Sequence, residues 1–255
     1  RDLPLSAYYG VQTLRARENF DLSGLPLSNF KHFVDALAFV KKGAAQANCE
    51  LGVLAKEKMV AICAACDEIL AGKFHEYFVV DMIQGGAGTS TNMNANEVIA
   101  NRALELMGHN KGEYEFLHPN DDVNCSQSTN DAYPTAIKLA VYLSIQNTLG
   151  ALGELKAALE AKEQEFSHVL KMGRTENQDA VPMTLGQEFG SYAMTIGTAM
   201  HSMQLAADGL LEINMGATAI GTGINSPPGY ADLVTIKLAQ VSGLPVRKAV
   251  NLVQG

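Results

Sequence analysis

Residues 136–168 contain no proline, and Leu139, Tyr142, Leu143, Leu149, Leu152, Leu155, Leu159 and Phe166 recur along them at spacings near three and four. That spacing gathers apolar side chains along the side of an α-helix. At 1.5 Å per residue the helix would be about 50 Å long, well beyond the usual helix of a globular domain. A helix of that length needs other helices against it, so the chain is restricted to a bundle, often one shared between subunits. A second long helix is predicted over 183–213, with Leu185, Phe189, Tyr192, Ile196, Met200 and Met203 on one side. These methionines read as core rather than as a cofactor contact.

The rest of the chain is read the same way. Residues 1–30 read as irregular, with Pro4, Gly10, Gly24 and Pro26. A helix is predicted over 31–50, with Phe33, Leu37, Val40 and Ala44 on one face. Another is predicted over 54–72, with Leu54, Met59, Ile62, Cys66 and Leu70 as the buried stripe and Gly72 as the stop. Phe74 to Ile83 reads as a short extended or helical segment. Asn92 to Leu106 reads as a helix with asparagines at 92, 94, 96 and 101, which capping and a solvated face explain as well as a functional cluster does. Residues 216–229 are too rich in glycine and proline to be helical throughout, and a shorter helix follows at 230–242. The fold class is therefore mainly α. An N-terminal, mostly helical domain is expected over 1–130 and a long-helix bundle domain, incomplete at its C-terminus, over 131–255.

Composition removes several classes of function. Apolar residues make up 47% of the 255, ample for a core, and no 18-residue apolar run suggests a membrane span. No basic start followed by an apolar stretch marks a signal peptide. A formal charge of −8 argues against nucleic acid as a partner. Cys63-Ala-Ala-Cys66 has redox or zinc spacing but no second Cys/His pair, so the four cysteines read as core or half-buried thiols suited to a reducing cytoplasm. Gly85 to Thr91 is a glycine-rich loop before a helix, yet no clear strand precedes it and no Gly-Lys-Ser/Thr follows, so a nucleotide loop is not expected. Gly-x-Ser-x-Gly and His-Glu-x-x-His are absent too.

What remains is polarity without a familiar catalytic set. His118-Pro-Asn-Asp-Asp-Val-Asn-Cys-Ser-Gln-Ser-Thr-Asn-Asp-Ala-Tyr-Pro-Thr135 is dense in short donors and acceptors and leads into the first long helix. Such residues cap free helix N–H groups, and the same helix end favours an anion. Clusters of small hydroxyls and amides between helices suit a small, polar anion and charge that develops during a reaction.

Three motifs carry a resemblance. Ser126-Gln-Ser-Thr-Asn-Asp-Ala-Tyr-Pro-Thr135, Gln84-Gly-Gly-Ala-Gly-Thr-Ser-Thr-Asn-Met-Asn-Ala-Asn-Glu97 and Gly173-Arg-Thr-Glu-Asn-Gln-Asp-Ala-Val-Pro182 resemble the aspartase branch of the aspartase/fumarase superfamily in order and spacing. Tyr8-Tyr-Gly-Val-Gln-Thr-Leu-Arg15 is similar to the family's N-terminal segment, so the similarity runs over essentially the whole chain. The resemblance implies reversible deamination of L-aspartate to fumarate and ammonia through an enediolate, without a redox cofactor and with no residue assigned as a metal ligand. It implies Thr89, Ser128 and Thr129 as donors to the charged carboxylate, Asn130 as the contact for the amino group, and Thr175 with Glu176 from the third motif. It implies a homotetramer whose sites are shared between subunits, while the cytoplasmic expectation rests on the cysteines alone. His118, Asn120 and Asp121 resemble a second, peripheral anion site, and a turn with an Asx cap is the plainer reading of them.

Two departures from the family pattern stand out. The family's Gly-Ser-Ser loop with its serine base, and a lysine and asparagine for the substrate, have no counterpart here and are expected after Gly255, so these 255 residues alone are expected to be inactive. Glu176 replaces a usual His or Gln, and Asn177 a usual Leu. Two alternatives share the resemblance. One is a fumarate hydratase, against which Ala87 and Thr129 argue; the other is a non-catalytic, crystallin-like helical oligomer.

Overall fold

The computed structural model describes residues 3–83 and 86–254, so Gln84 and Gly85 of the glycine-rich motif lie outside the described residues. Among the described residues seven α-helices carry the fold: α1 (Val11–Asn19), α2 (Lys31–Glu50), α3 (Lys56–Leu70), α4 (Thr89–Leu106), α5 (Thr129–Glu165), α6 (Leu185–Leu210) and α7 (Tyr230–Ser242). Four short strands join them: β1 (Leu170–Thr175), β2 (Gln178–Thr184), β3 (Glu212–Ile213) and β4 (Arg247–Lys248). The mainly α class stands. The described residues form two compact units, one made of 1–141 with 210–255 and the other of 142–209.

In the first unit α2 is the central element and packs on α3, α4 and α7. Val34, Leu37, Val40 and Ala44 are fully buried on it. Gly43 lets α7 come close, because a Cβ there would lie 3.2 Å from the Leu238 backbone. The return of 210–255 onto α2, reinforced by β3 pairing in parallel with β4, is why this grouping differs from the expected division at 130/131. Sequence separation along a loop is no measure of where its far end docks.

The asparagines of α4 are buried, all four at 3% exposure or less, so the solvated-face reading of them is corrected. Two of them, Asn94 and Asn101, replace backbone partners for loops that have none. Asn94 accepts from Val79 N (2.9 Å) and donates to Tyr77 O (2.9 Å). Asn101 donates to Tyr8 O (2.8 Å) and accepts from Gly112 N (2.9 Å). A primary amide offers both a donor and an acceptor, as a peptide group does, which is what an irregular loop lying on a helix needs.

The second unit is the part of α5 from Tyr142 onward and α6 to Gly209, with the β1–β2 hairpin between them; the start of α5 belongs to the first unit. Gly186 sits where a Cβ would collide with the Glu163 carbonyl, which brings the start of α6 close to the end of α5. All the buried residues of α5 fall between Asp131 and Ala140. Beyond them, Leu155 on α5 and Met194 and Leu205 on α6 are largely exposed.

Three expectations for regular structure need correction. Residues 11–19 are helical, not irregular. Residues 170–184, read only as a break, form an antiparallel hairpin with Thr175 opposite Gln178. Helix α5 begins at Thr129 rather than near Ala136 and holds Pro134 within its early turns.

The hairpin turn is unusual in its residues. Glu176 and Asn177 both have positive φ, 47° and 63°, the pattern of a type I′ turn, for which Asn-Gly is the favoured pair. A left-handed backbone costs a residue such as Glu about 1–2 kcal/mol and costs Asn less. Glu176→Asn should therefore stabilise the hairpin by about 1 kcal/mol, seen as a higher urea midpoint with an unchanged slope. An unchanged or lower midpoint would show that the Glu176 side chain contributes more than its backbone strain costs.

Candidate active site

Two helix N-termini meet at one cavity of the first unit. Helix α4 starts after Gly88, which has φ 89° and no side-chain cap. A Cβ on Gly88 would run into the Tyr133 ring of α5, so glycine there serves both the backbone angle and the close approach of the helices. Helix α5 starts with a reciprocal cap. Asn130 N donates to Ser128 Oγ (3.2 Å), and Ser128 N donates to Asp131 Oδ1 (2.9 Å). Ala87, Gly88, Asn130 and Tyr133 line the cavity of 790 Å³ together with residues 217–221.

The segment 214–221 is stapled to the start of α5. Asp131 Oδ2 accepts from Gly216 N (3.1 Å) and Thr218 N (2.9 Å), and Asn130 donates to Ala219 O (2.9 Å). Pro134 has no N–H to offer the carbonyl four residues back, and that carbonyl, Asn130 O, accepts from Asn214 Nδ2 instead (3.3 Å). Asp131 is fully buried, and burial raises its pKa against these hydrogen bonds and the nearby Lys41.

Beneath Thr129 lies a polar network that sequence reasoning missed. Lys41 of α2 is fully buried. Its ammonium donates to Asn92 Oδ1 (2.7 Å), Asn124 Oδ1 (2.9 Å) and Gln127 Oε1 (2.9 Å), one acceptor for each proton. Asn92 Nδ2 then donates to Asn124 Oδ1 (3.0 Å) and to Thr129 Oγ1 (3.2 Å). A signal was present in the sequence, since Lys41 falls four residues after Leu37 on the apolar stripe of its helix.

Burial pushes the Lys41 pKa down from 10.5 to about 7, with Asp131 pulling the other way. The sign of the consequence is fixed by linkage. Between pH 7 and 10.5 the unfolded lysine holds a proton that the folded one releases, so stability rises with pH. The slope has a ceiling of about 1.4 kcal/mol per pH unit. Urea unfolding between pH 7 and 8, where thiols such as buried Cys66 stay mostly protonated in the unfolded chain, should show this rise, and Lys41→Met should remove it. The same slope in both proteins would assign it to another group.

The other expected residues are placed as follows. Thr89 is exposed at the start of α4 and donates to Gly86 O (2.6 Å). Thr175 and Glu176 belong to the second unit, on the exposed hairpin. Arg174 there engages Asp179 (3.1 Å), not Glu176. His118 caps the turn at 119–123, its Nδ1 accepting from Asn120 N and Asp121 N (both 3.2 Å). Cys63 and Cys66 are free thiols along α3, one half-buried and one buried.

Known proteins frame this geometry. The family model described as Lyase matches residues 2–254. The Pseudomonas aeruginosa protein named aspartate ammonia-lyase is 59% identical over 254 residues, covering 99% of this chain and 54% of that protein. The Escherichia coli (strain K12) protein of the same name is 53% identical over 255 residues, covering 100% of this chain and 53% of that protein. Among solved structures, the cobalt-bound fumarate lyase:delta crystallin from Brucella melitensis has a TM-score of 0.98 at 54% identity, covering 100% of this chain and 55% of that one. The class II fumarase from Schistosoma mansoni has a TM-score of 0.89 at 34% identity, covering 98% of this chain and 56% of that one. The chain spans about half the length of the curated relatives it matches. It belongs to the lyase family of the aspartase/fumarase superfamily.

Proposed function

We propose that the full-length protein is an ammonia-lyase that converts L-aspartate reversibly to fumarate and ammonia. The observation that carries this reading is the cavity bordered by the N-termini of α4 and α5, with Gly88 at one and Asn130 at the other. Two helix N-termini favour negative charge, as a dicarboxylate requires in a chain whose own net charge is −8. The names of the relatives select aspartate among dicarboxylates.

The difficult step is loss of a proton beside the β-carboxylate, which leaves an enediolate with two negative charges on one carboxylate. Donors fixed in advance lower that barrier most. Thr129 and Ser128 act from the start of α5, and Thr89 joins them by turning its hydroxyl away from Gly86 O. Asn130 turns its NH2 to Ala219 O, and its amide oxygen is the atom suited to the substrate ammonium. Thr175 and Glu176 act from the hairpin of another subunit. Strained backbone such as that of Glu176 supports a functional role. The base is the serine of a loop outside these residues. Exposed Met194, Leu205 and Leu155 support self-association through α5 and α6, which we take as the family's tetramer, and light scattering giving a stable monomer would remove the shared-site model.

The test is fumarate absorbance with the full-length protein and either aspartate or malate. Fumarate from aspartate alone is the expected result. Fumarate from malate alone would make it a hydratase, and none from either would favour a crystallin-like packing role.

A further inference from the structure

Resting on that reading, we infer that Asn92 is a positioning residue for the proposed reaction, clamped by buried Lys41 so that it fixes the Thr129 hydroxyl with its proton turned toward the substrate carboxylate. Asn92 is 1% exposed and has no solvent to rotate into. Its Oδ1 is held by the Lys41 ammonium at 2.7 Å. While Lys41 is protonated, below about pH 7, turning the amide over would aim its NH2 at that ammonium, so Nδ2 faces the other side, and the double-mutant cycle is run in that pH range. There it meets Asn124 Oδ1, itself fixed as an acceptor by Lys41 (2.9 Å), and Thr129 Oγ1. A hydroxyl oxygen that accepts an N–H carries its own proton away from that donor. Thr129 is half-buried at the first position of α5, beside Asn130, which lines the cavity. The clamp thus leaves the threonine a donor at the helix end where charge on a carboxylate develops. A freely turning hydroxyl would have to be oriented at the moment of reaction, and prior orientation is what makes such a donor effective.

The test is a double-mutant cycle in the full-length protein. Asn92→Asp keeps the shape and the Lys41 partner but replaces the Nδ2 donor by a carboxylate oxygen. Thr129 then donates to it rather than to substrate. Roughly a tenfold or greater loss of kcat is expected, and in a Thr129→Val background less than about a twofold further loss. Thr129→Ser, which keeps the hydroxyl, should stay sensitive to Asn92→Asp. Any general effect of the added charge on KM appears equally in both backgrounds and drops out of the cycle. Equal kcat losses with Thr129 and with Val at 129 would overturn the inference while leaving the lyase reading intact. A wild-type protein that forms no fumarate from aspartate would overturn that reading, and this inference with it. Should Asn92→Asp lower the melting temperature steeply, Asn92→Ser removes the same donor, and the cycle is read with that variant.

Discussion

Thr129→Val should lower kcat of the full-length protein by roughly 10²–10³ while KM stays nearly constant. Valine keeps the β-branched shape at the first position of α5 and loses one donor. The donor matters when the carboxylate carries two charges, which it does only near the transition state, so binding of ground-state aspartate changes little. A structural cost comes with the substitution, because Asn92 Nδ2 loses the Thr129 oxygen it now reaches at 3.2 Å. An unsatisfied buried donor costs about 1–3 kcal/mol of stability, which a melting curve reads separately from turnover. Thr129→Ser restores the hydroxyl and should recover most of kcat. A change in KM alone would make Thr129 a ground-state contact.

The long helices were legible because their information is local. Apolar spacing in residues 31–50, 56–70, 136–165 and 185–210 needs only the helix period to be read, and those helices lie close to where the spacing puts them. Long-range pairing was not legible. Helix α1 has only Thr13 and Ala16 buried and so no apolar stripe to announce it. The hairpin at 170–184 carries Glu-Asn at a turn that usually signals itself with Asn-Gly. Its strands are exposed at most positions, so no alternation of polar and apolar residues marks them. Asn94 and Asn101 of α4 resemble a solvated face in sequence because an amide that replaces a loop's missing backbone partner looks identical to one that meets water. The polar motifs named the neighbourhood of the cavity through Asn130 and Thr129. They contained Asn92 without giving it a role and did not contain Lys41, Asn214 or Thr218; these four support that neighbourhood from three other parts of the chain.

Glu97→Ala is expected to cost about 4 kcal/mol of folding stability, near the top of the range for one substitution. Glu97 is 2% exposed on α4, yet its carboxylate does the capping of α1. Oε2 accepts from Gly10 N (2.8 Å), Thr13 N (3.0 Å) and Thr13 Oγ1 (2.6 Å), and Oε1 accepts from Gln12 N (2.9 Å). These backbone donors are the orphan N–H groups of a helix start, and Gly10, the residue before α1, provides no side-chain cap. A Cβ at Gly10 would lie 2.6 Å from the carboxylate, so glycine is what lets the acid approach. Hydrogen bonds to a charged acceptor contribute about 1.5–3 kcal/mol each, and the few apolar contacts of α1 cannot replace four of them. Glu97→Gln should cost less, about 2 kcal/mol, because the amide oxygen keeps part of the set while the new NH2 faces a backbone N–H. Urea unfolding of both variants gives the two costs. Hydrogen exchange at Gly10, Gln12 and Thr13 should accelerate in Glu97→Ala well before global unfolding, as the helix opens locally. A loss below about 1 kcal/mol with unchanged exchange would mean that α1 is held by its packing, with the carboxylate secondary.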